Sequence, residues 1–149
     1  MYRIKNDIVF AKQNGKASLR HKFVNIGHYT SGWSMCADGI LRRNIIRDIR
    51  PTGTQPVCRV TLFGGATVRT TLDNKFPTPI GERTIYDMSA GDLLFVKGRE
   101  GPRVSTSAIT AIEPDGETNT YDVTMDVPNN NFITRRLIIT CAKLSAMML

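Results

Sequence analysis

The sequence predicts an all-β fold with internal pseudo-twofold symmetry, and three observations carry that prediction. The first is a repeat. Ile49 to Thr71 (IRPTGTQPVCRVTLFGGATVRTT) has a partial copy 63 residues later at Ile112 to Met125 (IEPDGETNTYDVTM). Ile49, Pro51, Gly53, Val60, Thr61 and Leu62 fall on Ile112, Pro114, Gly116, Val123, Thr124 and Met125 without a gap. A repeat at this spacing implies two similar units that pack on each other because neither buries its apolar face alone. The second observation is a series of short, β-branched apolar runs with period-two alternation. The third is turn chemistry: seven prolines and twelve glycines are spread along the chain rather than clustered in a tail.

Taken in order, Ile8 to Ala11 is a short apolar run followed by Gln13-Asn14-Gly15, a turn of the hairpin type. Ala17 to Ile26 reads as a strand of mixed periodicity. Trp33 to Cys36 is a brief apolar strand ended by Asp38-Gly39. Ile40 to Ile49 fits a long bulged strand about as well as a short helix. Strand is preferred, because a Pro-x-Gly turn follows and its counterpart at Ile109 to Ile112 looks extended. Val57 to Leu62 alternates, with Val57, Arg59 and Thr61 on one face and Cys58, Val60 and Leu62 on the other. Gly64-Gly65 supplies a tight turn into Thr67 to Thr71.

Phe76 to Gly81 reads as a loop, and Arg83 to Met88 as a short strand or helical turn. Ser89 to Asp92 turns the chain into Leu93 to Val96, and Gly98 to Pro102 is a polar break. Val104 to Ile112, Tyr121 to Val127, Phe132 to Thr134 and Leu137 to Cys141 complete roughly ten short strands.

Composition narrows the function. At 149 residues the chain is one domain, and 20 basic against 13 acidic residues give a net charge of +7. Such a surface tolerates acidic partners, but the basic residues are scattered and no aromatic ladder lies between them, so nucleic-acid binding has weak support. Cys36, Cys58 and Cys141 are widely spaced, which supports neither zinc nor a disulfide framework. No cofactor or metal is expected. No signal-peptide core or membrane-length apolar run is visible, so the chain reads as a soluble protein of a reducing compartment, cytoplasmic or carried in a virion.

Four stretches then resemble the Hedgehog/intein (HINT) family. Cys58 to Pro79, CRVTLFGGATVRTTLDNKFPTP, is similar to the family's glycine-turn hairpin running into Thr-x-x-His and aromatic-Pro-Thr. Ser89 to Val96, SAGDLLFV, resembles its Gly-Asp-x-Val segment. Thr120 to Cys141, TYDVTMDVPNNNFITRRLIITC, resembles its Tyr-Asp-Val-Thr-Val and His-Asn ending, and Asp7 to Gly15 its opening. The resemblance covers nearly the whole chain in the family's order. It implies a pseudo-twofold horseshoe of β-strands over residues 1–141, with 142–149 as an apolar tail and no endonuclease insertion.

The activity the family implies is self-splicing or self-cleavage of a peptide bond. That chemistry needs an opening thiol or hydroxyl nucleophile, a histidine proton donor, a cyclising asparagine and a following nucleophile. The opening position falls among Met1, Tyr2, Arg3 and Ile4, none of which is a thiol or an aliphatic hydroxyl. With methionine at position 1, no upstream segment to be spliced is expected. Thr71 is in place, but the histidine position is Asn74, whose amide has no proton titrating near neutral pH. Thr140-Cys141 stands where His-Asn is expected. Asp122, after Tyr121, matches the family. Complete splicing is therefore not expected, and Cys141 is the one residue that sustains a reduced cleavage reaction.

Other candidates have plainer readings. Cys36 and Cys58 read as core packing, and His21 and His28 as surface or satisfied core residues. Asn129-Asn130-Asn131 reads as a turn. Trp33 is a packing plug or an exposed contact anchor. Leu144, Met147, Met148 and Leu149 lie in a nearly uncharged tail that suits docking onto another subunit or a larger body. The expectation is a free-standing structural or interaction module that has lost its autoprocessing chemistry. Its partner is expected to be another protein or a second copy within a larger assembly, and its origin a phage or mobile element.

Overall fold

A computed structural model describes residues 9–10, 31–134 and 137–140. Among them are ten strands: β1 (Val9–Phe10), β2 (Ser31–Met35), β3 (Leu41–Leu62), β4 (Thr67–Thr70), β5 (Lys75–Thr78), β6 (Gly81–Thr84), β7 (Leu93–Lys97), β8 (Val104–Met125), β9 (Asn131–Thr134) and β10 (Leu137–Thr140). The main sheet runs β2-β3-β4-β1-β8-β7-β10-β9, and β3 also pairs with β8, which closes β3, β4, β1 and β8 into a ring. The hairpin β5–β6 lies outside that sheet, with β5 packed on β7 and β10. One 3-10 turn, Ile85–Asp87, is the helical turn anticipated after Arg83.

The duplication is written directly into the architecture. β3 and β8 are each 22 residues long and begin and end 63 residues apart. They pair antiparallel along most of their length, with Ile46 opposite Met125 at one end and Leu62 opposite Ile109 at the other. The 63-residue shift converts either of these pairs into the other. Gln55 opposite Thr118 is carried onto itself, so the pseudo-twofold passes between those two residues. The hairpin β2–β3 has the same counterpart in β7–β8: Ser31 opposite Ile45 in one unit, Leu93 opposite Ala108 in the other. Symmetry fails after the long strands. β3 turns back through Gly64-Gly65, both at φ +96°, into β4, whereas β9 pairs with β10 and not with β8.

The core is built from equivalent positions. Ile46 and Ile109, Val60 and Val123, Leu62 and Met125 are all buried, and Phe76, Leu94, Leu137 and Ile138 are fully enclosed with them. Val60 and Leu62 point inward with Cys58 while Arg59 is exposed, as the alternation predicts. Val57 is also buried, because the ladder slips between Pro56 and Cys58.

Three expectations need correction. The Pro-x-Gly segments at Pro51 and Pro114 do not turn the chain; both long strands run straight through them. Proline has no N–H for the ladder and glycine accepts a positive φ (+87° at Gly53, +75° at Gly116), so the chain shifts register rather than reversing. Two of the strands are therefore long, not short. Phe76 to Gly81 is mostly strand: β5 and β6 face each other with Thr78 opposite Gly81, and the Thr78 hydroxyl accepts from Ile80 N–H (3.2 Å) to form the turn. Cys36 is half-buried rather than core, and its sulfur accepts from Asn129 Nδ2 at 3.4 Å.

The hairpins are pinned across the sheet. Asn131 mimics a backbone partner for Met35, accepting its N–H at 2.7 Å and donating to its carbonyl at 3.0 Å. Asn44 Nδ2 donates to Ser34 Oγ and to the carbonyls of Asp126 and Asn129. Gly98 has a different reason to be glycine: a Cβ there would lie 2.4 Å from the carbonyl oxygen of Arg103. Gly98→Ala is expected to cost about 1–3 kcal/mol, read by urea denaturation. Gly32→Ala, whose Cβ would sit 3.5 Å from Met125 Cε, serves as the tolerated control.

Candidate functional site

Three strand ends converge where the family positions were sought. β1 lies parallel between β4 and β8, with Phe10 opposite Thr70 on one side and Tyr121 on the other. This brings the end of β4, with Thr71 and Asn74 just beyond it, towards Asp122 on β8. Thr71, Asn74 and Asp122 are each buried.

Asn74 is a turn residue whose groups are engaged. Its N–H donates to the Thr71 carbonyl at 3.2 Å. Its side-chain Nδ2 donates to Thr70 Oγ1 at 3.0 Å, and its Oδ1 accepts from Lys75 N–H at 3.1 Å. These bonds hold the chain in position as it leaves β4 for β5, a use for which the short amide is well suited. Thr71 Oγ1 donates to Asp73 Oδ1 at 2.8 Å.

Asp122 is the unusual group. It is 2% exposed, and neither of its carboxylate oxygens has a hydrogen-bond partner among the described residues. Burial pushes its carboxyl up to about 8, the nearby negative charge of Asp73 adds to that, and Arg50 opposes it. Arg50 stands opposite Asp122 in the ladder, but its guanidinium Nε bonds Asp48 at 2.5 Å instead. At neutral pH Asp122 is therefore mainly protonated and neutral, able to donate a proton but not to act as a base. The motif drew attention to Asp122 but not to Asp73 and Arg50, which modulate in opposite directions the shift that burial sets. Asp73 left one faint signal, an acid between the two family positions Thr71 and Asn74.

The remaining predicted positions lie elsewhere. Thr140 ends β10 opposite Asn131, on the far side of β7 from β8 in the sheet order. Trp33 is 43% exposed, with the Arg43 guanidinium 5.3 Å from its ring centre, so it is a surface group and not a packing plug. Cys141, Leu144, Met147, Met148 and Leu149 lie outside the described residues, as do His21 and His28 and the proposed boundary at 141. Among the described residues no three His, Cys, Asp or Glu side chains come together as a metal site, and no helix is long and apolar enough to cross a membrane.

No protein-family model matches the chain, and no curated protein does either. Solved structures do. A DnaB intein from Synechocystis superposes with a TM-score of 0.70 at 19% identity, covering 75% of this chain and 78% of the intein. The DnaX mini intein of Spirulina platensis gives 0.66 at 13% identity over 74% of this chain and 80% of that one. The gp41-1 intein gives 0.59 at 18% identity over 74% and 94%. The chain has the HINT fold. In this HINT domain the horseshoe is the closed pairing of β3 with β8, and β1 lies between Thr70 of β4 and Tyr121 of β8, the residues preceding Thr71 and Asp122.

Proposed function

We propose that this HINT domain is a non-catalytic structural or interaction module, phage- or mobile-element-encoded and working as a component of a virion or another assembly. The observation that carries the reading is Asn74. Where the resemblance calls for a histidine, a buried amide bonds to Thr70 and Lys75, and it has no proton to give a departing amine. Thr140-Cys141, in place of His-Asn, supports the same reading. The phage setting rests on family analogy. This reading assigns docking to a protein partner or a second copy to the exposed Trp33 beside Arg43 and, from the sequence alone, to the apolar residues Leu144, Met147, Met148 and Leu149. Nucleic acid is the weaker alternative.

The test is intact mass. Purified chain incubated with and without thiol is expected to keep its mass over days while associating stably with a larger body; loss or exchange at either end overturns the reading. A second reading, residual autocleavage through Cys141, is favoured by one observation: Asp122 keeps a buried proton within the site. In that case Cys141→Ala abolishes a mass loss that the parent chain shows.

A further inference from the structure

We propose that the open groove formed by the middle of β3 and β8 with the Thr71–Tyr86 segment binds an extended, positively charged peptide segment of another polypeptide. This deepens the interaction-module reading and rests on it. The groove encloses about 630 Å3. Its floor is apolar, with Val57 buried and Ile112 half-buried, and Tyr86 stands 70% exposed at its wall. Asp73, Glu113 and Glu117 complete the lining.

Among the described residues none of these three carboxylates is in an ion pair, although the chain carries a net charge of +7. Two arginines of the neighbouring strands are engaged by another acid. Arg59 stands opposite Glu113 in the ladder, yet its guanidinium lies 3.2 Å from Asp115, and Arg69 Nε lies 2.8 Å from the same carboxylate. Acids without a cation partner leave a local negative field that an external cation relieves, although Asp73 does accept from Thr71 Oγ1.

The shape narrows the occupant further. Ile112 to Glu117 runs along the groove as strand with a kink at Gly116 (φ +75°), a path of at most about 17 Å, the span of up to about five residues of a second extended chain. Lysine and arginine suit such a site because their aliphatic stems lie on an apolar floor while their charged heads reach the carboxylates. The open ring of Tyr86 offers a cation a further contact. Nucleic acid fits poorly, since its phosphates would meet an acidic lining.

The experiment uses the full chain and two capped eight-residue peptides, one alternating Lys and Leu and its counterpart alternating Glu and Leu, followed by titration calorimetry and backbone amide spectra. The Lys/Leu peptide is expected to bind at least about tenfold more tightly than the Glu/Leu peptide. It should shift the amides of Val57, Tyr86 and Ile112, and weaken as salt rises. The double substitution Glu113→Gln with Glu117→Gln should remove most of that difference, while Glu100→Gln leaves it unchanged. Equal binding of the two peptides, shifts mapping elsewhere, no binding, or displacement of the peptide by a single-stranded oligonucleotide would each overturn the proposal. Intact mass is recorded on the same sample. An unbroken chain that binds nothing refutes the groove alone, and a cleaved chain refutes the non-catalytic reading alone.

Discussion

Asp122→Asn is expected to stabilise the protein at pH 7 by roughly 4 kcal/mol and to remove most of the dependence of its stability on pH between about 4 and 8. The carboxyl ionises at 3.8 in an ordinary setting and at about 8 in the fold. Between those values the folded chain holds a proton that the unfolded chain has released, so rising pH favours unfolding. Stability from this group is complete below 3.8, falls as pH rises, and reaches its minimum above 8. Each pKa unit corresponds to about 1.4 kcal/mol. Asparagine keeps the shape and the neutrality of the protonated acid, so it escapes the penalty at every pH. Asp38, held down to about 2 by its bonds to Arg42 and Ile40, is present in both proteins and cancels in the comparison. Urea denaturation of both chains at pH 5, 7 and 8.5 checks this: parallel profiles would mean that Asp122 is not the buried neutral group described.

Phe76→Ala is expected to destabilise by about 3–5 kcal/mol, a fall in Tm of roughly 10 °C for a domain of this size. Phe76 is fully enclosed and stands at the head of the largest fully buried side chains. It brings β5 onto the core even though, among the described residues, β5 and β6 pair in the ladder only with each other. Truncation removes both the transfer free energy and the contacts that anchor the hairpin, and it leaves a void lined by apolar side chains. Phe63→Ala, at a ring 78% exposed on the hairpin tip, should stay within about 0.5 kcal/mol. A Phe76→Ala loss as small as that of Phe63→Ala would show that β5 is not seated in the core.

The same residues mark what could be read from the sequence. The repeat was legible because buried positions on both long strands must be apolar in matching phase, and Val60 and Val123 keep that phase across the duplication. The Gly64-Gly65 turn and the faces of Val57 to Leu62 were legible for similarly local reasons. Pro51 and Pro114 misled because the local chemistry of a turn and of a register shift is the same: a missing donor followed by a positive φ. What decides between them is whether a partner strand continues alongside, which no local pattern encodes. β5 was hidden in the same way, since Pro77 and Pro79 read as loop until Phe76 is seen to need a core. At the site, the motif drew attention to Thr71, Asn74 and Asp122, but the proton on Asp122 depends on burial and on Asp73, both properties of the assembled fold.

The exchange of Ile46–Met125 with Leu62–Ile109 bears on how such a chain arises. A single unit alone would present a 22-residue strand with one open edge, a liability in solution. Two separate units would satisfy each other by the same contact, isologous and antiparallel, as a homodimer whose stability rises with concentration. Joining them in one gene turns that bimolecular encounter into ring closure, so the arrangement survives dilution. It also frees the two halves to diverge, and the β4 and β9 connections are where they have done so.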